Sequence, residues 1–243
     1  GNISSEKYSS FIANSVVNNG TIQIHKGTVH LTGADEFSLT LNENSNISLK
    51  VTKGTLNSLV ENNNLIVANG GNVYLTTNAK NELLKGVVNN SGIIEAASLD
   101  DLQSEVILFA HGGTANIEGE IKAEAPVTGN GGFIETSGKT VNISDSAKIS
   151  TVSTNGAVGS WLIDPSDFYV AASGGNITGT ALGTALNSGS VTIKTASNST
   201  SCTGATCSAG STGINGDIYV NDAVSFNANN TLTIDSYRNI YIF

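Results

Sequence analysis

Apolar and polar residues alternate along most of the chain, in short runs closed by glycine and asparagine. Thr21-Ile22-Gln23-Ile24, Asn72-Val73-Tyr74-Leu75 and Leu232-Thr233-Ile234 are typical. Alternation of this kind predicts half-buried strands, and the Asn and Gly clusters predict corners. Three segments share one pattern. Val16-Val17-Asn18-Asn19-Gly20-Thr21-Ile22 resembles Leu59-Val60-Glu61-Asn62-Asn63-Asn64-Leu65-Ile66 and Val87-Val88-Asn89-Asn90-Ser91-Gly92-Ile93-Ile94. Aligned on their valines, Val60 follows Val17 by 43 residues and Val88 follows Val60 by 28. Later stretches keep the pattern. Gly131-Gly132-Phe133-Ile134, Gly174-Gly175-Asn176-Ile177 and Gly216-Asp217-Ile218-Tyr219 each place glycine just before a strand. The corner glycines and asparagines are expected to supply left-handed backbone.

A repeat of this length predicts a solenoid, and short strands without a Trp-Asp dipeptide per blade favour a parallel β-helix over a propeller. At about 22 residues per coil there would be about 11 coils, a rod of roughly 50 Å. Ile93 is read as a stacked ladder residue. Two segments depart from the strand pattern and read as short helical insertions: Asn78–Lys85 and Thr180–Leu186. Residues 1–243 read as one β-helix body with extra-helical loops, because no Pro-rich or charged linker divides them. The start, Gly1-Asn2-Ile3-Ser4, has neither Met nor a basic-apolar leader, and the end, Tyr241-Ile242-Phe243, lies inside an alternating run. A fragment of a longer chain is expected.

Composition narrows the function classes. The 243 residues carry 11 Lys and Arg against 20 Asp and Glu, a net charge of −9, with 39% hydrophobic residues. Too few charges are present for a disordered polyelectrolyte, and one arginine, Arg238, argues against nucleic-acid binding. No apolar run is long enough to span a bilayer as a helix.

The candidate chemistry is sparse. His25, His30 and His111 read as outward strand residues, since no third ligand shares their spacing. Asp164 and Asp167 in Trp161-Leu162-Ile163-Asp164-Pro165-Ser166-Asp167-Phe168 could act as acid and base or bind calcium, but the Asp-Pro order favours a turn anchored by Trp161 and Phe168. Asp35-Glu36 and Asp100-Asp101 are isolated pairs. Glu118 and Glu120 read as two carboxylates on one strand face. No catalytic, cofactor or metal site is expected. Cys202 and Cys207 lie in a Ser/Thr/Gly/Ala run, 197–212, which reads as an exposed loop closed by a local disulfide. Possible glycosylation triplets begin at Asn2, Asn19, Asn46, Asn89, Asn142, Asn176, Asn198 and Asn229.

Four blocks together carry a family resemblance: Gly54–Thr76, Val87–Ala96, Gly129–Gly138 and Trp161–Phe168. With them the chain resembles bacterial large exoproteins of the filamentous-haemagglutinin type over most of its length. The resemblance implies a right-handed parallel β-helix, exported by two-partner secretion through an outer-membrane transporter. It implies a secreted or cell-surface adhesin whose partner is a host-cell receptor or glycan; the chain itself is expected to be a monomer without a nucleic-acid partner. The Asn-Pro-Asn motifs of the family's secretion domain are absent, because the only prolines are Pro126 and Pro165. The chain therefore falls at or after the end of that domain, and the transporter would act through the parent chain. Alternative expectations are a carbohydrate-active β-helix enzyme and the passive stalk of a contact-dependent toxin.

Overall fold

A computed structural model of the chain describes residues 1–41, 47–55, 58–78, 86–99, 102–195 and 216–243. It is all-β with parallel sheets. The strands are β1 (Asn2–Ser5), β2 (Tyr8–Ala13), β3 (Ser15–Asn18), β4 (Thr21–His25), β5 (Thr28–Gly33), β6 (Glu36–Leu41), β7 (Ile47–Lys53), β8 (Leu59–Asn62), β9 (Leu65–Asn69), β10 (Asn72–Asn78) and β11 (Val87–Asn90). They continue as β12 (Ile93–Glu95), β13 (Glu105–Ile117), β14 (Glu120–Lys122), β15 (Phe133–Ile143), β16 (Lys148–Ser150), β17 (Ser160–Asp164), β18 (Phe168–Val170), β19 (Ser190–Lys194), β20 (Ile218–Val220), β21 (Leu232–Asp235) and β22 (Ile240–Ile242). One helix, α1 (Gly179–Leu186), precedes β19.

Two sheets dominate. One has the order β1-β4-β9-β12-β14-β16, and the other runs β2-β5-β10-β13-β15-β17-β19-β21 with β3, β8 and β11 joined to it. A smaller sheet is β18-β20-β22. Every pairing in these sheets is parallel, and the hairpin β6–β7 is the one antiparallel strand pair among the described residues. Successive passes of the chain therefore stack equivalent residues. Ile22, Ile66, Ile94, Ile121 and Ile149 form one column; Val29, Val73, Val106, Ile134, Trp161 and Val191 form another. These side chains are all buried and belong to one continuous apolar cluster reaching Ile218. Burying each large aliphatic contributes about 1.5–3 kcal/mol. Trp161, too large to stack on valine alone, also donates its indole N–H to Thr136 Oγ1 at 3.0 Å.

Five expectations change. Val60 pairs with Val16, not Val17, so the first register is one residue off the sequence alignment. A one-residue slip would turn every side chain to the wrong face, and the inserted hairpin β6–β7 hid the true spacing. The pass length is 26 to 28 residues where nothing is inserted, rather than 22, and the longest strand path holds eight strands, not eleven. The ladder residue is Ile94, fully buried; Ile93 is exposed. Asparagine does not supply left-handed backbone: among the described residues the only non-glycine with positive φ is Lys26. Glycine does supply it at Gly70, Gly112, Gly129, Gly174 and Gly216, while other corner glycines serve close approach. A Cβ on Gly71 would run into the backbone of Gly27, and one on Gly119 into that of Gly92, because passes stack corner on corner.

The expected helix over 180–186 is present as α1. Thr178 caps it, accepting from the Ala181 N–H at 3.2 Å, and Leu182 and Leu186 are buried beneath it. The other expected helix, 78–85, lies outside the described residues except Asn78, which ends β10.

Candidate functional site

Asparagine side chains form columns on both faces of the same strands. On the inner face, Asn18 donates to Asn62 and Asn62 to Asn90, each at 2.8 Å. The remaining amide hydrogens go to backbone carbonyls, among them Leu65, Ile93 and Gly92. All three residues are buried. A buried amide is tolerated only when its hydrogen bonds are made, and here the column makes them. On the outer face, Asn89 donates to Glu61, Asn116 to Asn89, and Asn142 to Asn116, each at 2.9 Å. Asn176 continues the column, donating to Asn142 at 3.3 Å and to the Val141 carbonyl at 3.0 Å.

The outer column ends beside β18. Phe168 and Val170 are buried, so Tyr169 between them faces out, 40% exposed. β20 and β22 repeat the apolar-Tyr-apolar sequence, and parallel pairing brings Tyr219 and Tyr241 into line with Tyr169. The rings of Tyr169 and Tyr219 are 4.5 Å apart and 2° from parallel; Tyr219 and Tyr241 are 4.8 Å apart. Behind them, Arg238 forms a two-pronged bond to the buried carboxylate of Asp217, which also accepts from the Tyr219 hydroxyl. The guanidinium, followed by the Asn239 and Tyr219 hydrogen bonds, holds Asp217 down at about 2. Desolvation and then this carboxylate push Tyr219 up to about 12. The sole arginine is thus committed within the fold.

A cleft of about 340 Å³ opens against Tyr169, with Lys139, Asn142, Asp167 and Asn176 around it. Its frame is fixed. The Tyr169 N–H donates to Asn176 Oδ1 at 2.9 Å, and the Tyr169 carbonyl accepts from the Asn176 N–H at 2.8 Å. Asp167 Oδ1 accepts from the N–H groups of Gly216 and Asp217 at 2.8 and 3.0 Å.

Compared with models of known families and with curated proteins, the chain matches none. The site therefore stands on its own geometry.

The two aspartates do not form a pair. Asp164 ends β17 and is 2% exposed, whereas Asp167 lies at the cleft on the bend beyond Pro165, with Trp161 and Phe168 buried on either side of the corner. Asp164 instead pairs across strands with Ser137, close to Glu135, which is also 2% exposed and accepts from the Ser137 hydroxyl at 2.6 Å. Burial pushes both carboxyls up to about 7, and one oxygen of each has no hydrogen-bond partner among the described residues. His25 is exposed as expected, but His30 is buried against the Tyr74 ring at 5.1 Å, and desolvation lowers it to about 4. His111 is half-buried beside Phe109. Glu118 and Glu120 do not share a strand face, because the corner at Gly119 separates them. Glu120 pairs with Lys122 and Lys148 at 2.8 and 2.9 Å and is held near 2 by them. Glu36 pairs with Lys53 at 3.0 Å across the β6–β7 hairpin.

Of the glycosylation triplets, Asn2, Asn19, Asn142 and Asn229 are exposed, while Asn89 and Asn176 are half-buried. Asn89, Asn142 and Asn176 all donate their amide nitrogen within the outer column, so a sugar there would displace those bonds. Asn46, Asn198, Asp100, Asp101 and the Cys202–Cys207 loop lie outside the described residues. The described residues on either side of that stretch meet: Thr195 Oγ1 donates to the Gly216 carbonyl at 2.9 Å. Among the described residues, no three His, Cys, Asp or Glu side chains converge as a metal site.

Sequence reasoning missed the tyrosine column. Its signal was the triplet apolar-Tyr-apolar at Phe168-Tyr169-Val170, Ile218-Tyr219-Val220 and Ile240-Tyr241-Ile242. Uneven spacing, set by the long segment between β19 and β20, obscured it.

Proposed function

We propose that this chain is a stretch of right-handed parallel β-helix from a filamentous-haemagglutinin-like exoprotein, serving at the bacterial surface as an adhesin. The reading takes the parent chain to be exported by two-partner secretion through an outer-membrane transporter, and the adhesive partner to be a host-cell receptor or glycan. The observation that carries it is the register. Parallel strands at a near-constant spacing stack isoleucine on isoleucine and asparagine on asparagine over many passes, as a solenoid requires. Right-handedness follows from the strong preference of parallel crossovers for that hand. The four sequence blocks add the family resemblance.

An adhesin needs an exposed surface that is rigid before its partner arrives. The tyrosine column and its cleft supply one. The enzyme reading ranks second, because Asp164 is sealed from a polysaccharide and Asp167 is tied to backbone N–H groups. The test is direct attachment. Purified 243-residue chain, fluorescently labelled, is expected to bind epithelial monolayers saturably and to compete with bacteria displaying the parent exoprotein. If it binds no cell and fails to compete, the adhesin reading is lost to that of a passive stalk. Release of sugars from a polysaccharide panel would favour the enzyme.

A further inference from the structure

We propose that the cleft beside Tyr169 binds one pyranose unit of an uncharged glycan, with the ring stacked on Tyr169; this rests on the adhesin reading above. Tyr219 covers only one face of Tyr169. Tyr219 stands on the following pass, whereas Lys139 and Asn142 belong to β15, on the preceding side of β18. The cleft therefore abuts the other face of the ring. A pyranose has an apolar C–H face that packs on an aromatic face and a rim of hydroxyls that need both donors and acceptors. The cleft offers that combination: one open aromatic face, the Lys139 ammonium as donor and the Asp167 carboxylate as acceptor. Neither Lys139 nor Asp167 is in an ion pair among the described residues; Asp167 Oδ1 is held by the Gly216 and Asp217 N–H groups, which leaves the ammonium and Oδ2 to meet hydroxyls.

Three further features set the ligand class. One positive and one negative group leave the cleft without net charge, which matches a neutral sugar rather than an acidic one. The volume, about 340 Å³, is at the small end for ligand sites and holds one ring rather than several. Gly174, on the rim, has open space beside it, so the neighbouring sugars of a chain can leave the cleft. Preorganisation completes the site. Tyr169 is held by stacking on one face of its ring and by two backbone hydrogen bonds with Asn176, one donated and one accepted, so little freedom remains to be lost on binding.

The experiment uses the full 243-residue chain. Methyl glycosides of glucose, galactose, mannose and N-acetylglucosamine, with sialyllactose as the acidic comparison, are titrated by saturation-transfer NMR and calorimetry. At least one neutral glycoside is expected to bind, with its ring protons in contact with a tyrosine. Tyr169→Ala is expected to weaken that binding about tenfold, the loss of one good aromatic contact. Lys139→Ala, which removes no packed ring, should weaken it severalfold and serves should Tyr169→Ala unfold. Tyr237→Ala, an exposed tyrosine outside the cleft, should leave it unchanged. Binding of sialyllactose alone, or neutral binding insensitive to both Tyr169→Ala and Lys139→Ala, overturns the assignment. The two readings separate cleanly. Cell attachment that survives Tyr169→Ala sinks the cleft and leaves the adhesin, whereas sugar binding without cell attachment sinks the adhesin and leaves the cleft.

Discussion

Asn89 and Asn90 are neighbours on one strand, yet they belong to opposite columns. Asn90 closes the inner column with Asn62 and Asn18, out of water. Asn89 sits in the outer column that runs from Glu61 to Asn176, half in solvent. The geometry is the same on both faces: amide to amide, at 2.8 Å inside and mostly 2.9 Å outside. What differs is the alternative each amide has. An outer amide that loses its neighbour gains a water, whereas an inner one gains nothing. The inner column therefore fixes which residue sits opposite which, and the outer column is left to shape a surface. At its far end the outer column holds the backbone of Tyr169 in place.

Breaking the inner column should have the largest effect. Asn62→Leu removes the middle amide and leaves one N–H of Asn18 Nδ2, and Asn90 Oδ1, without their partners in the core. At about 1–3 kcal/mol for each unsatisfied group, the expected loss is roughly 4 kcal/mol, read from urea unfolding. A change below about 1 kcal/mol would mean that the column does not hold the fold together.

The buried carboxyls of β15 and β17 give the next effect. Glu135 and Asp164 are raised above their unfolded values, burial first, with Ser137, Lys194 and other acids as lesser influences. The folded state therefore holds protons that the unfolded state releases, and stability falls as pH rises from about 4 to about 7, then levels off. Glu135→Gln is expected to raise stability at pH 8 by about 3 kcal/mol and to flatten that slope. His30 works in the other direction. Its lowered value costs stability as pH falls from about 6.5 to about 4, so His30→Gln should steepen the gain on acidification. Thermal melts at half-unit pH intervals would check both signs.

Breaking the outer column should do least. Asn116→Ala severs two exposed-side amide bonds and is expected to cost about 0.5–1 kcal/mol. A cost equal to that of Asn62→Leu would erase the distinction between the two columns.

Much of this was legible in the sequence. Alternation placed the strands around Ile22, Val73 and Ile234, and the Val-Asn-Asn repeats marked stacked corners. Trp161 and Phe168 were correctly read as anchors of their bend. The failures share a physical cause. Pairing register depends on partners many residues away, and insertions such as β6–β7 change the separation without changing the stacking. The alignment of Val17 with Val60, and the choice of Ile93 over Ile94, were both one-residue errors of that kind. Asparagine was found in the right places for the wrong reason, and glycine only partly for the right one: Gly70, Gly112, Gly129, Gly174 and Gly216 do take left-handed backbone, whereas close approach between passes and side-chain columns leave no trace in a local backbone preference. The cleft was invisible because it joins β15, the bend after β17 and the stretch before α1, which no single motif spans.

The register itself is the central claim, and a cysteine pair tests it most directly. In a Cys202→Ser, Cys207→Ser background, Val17→Cys and Glu61→Cys stand opposite each other on parallel strands, within the Cα separation a disulfide accepts. Mild oxidation is expected to close that bond rapidly and without loss of the thermal transition. If Val17→Cys instead fails to bond with Glu61→Cys while the folded transition persists, the stacking described here is wrong.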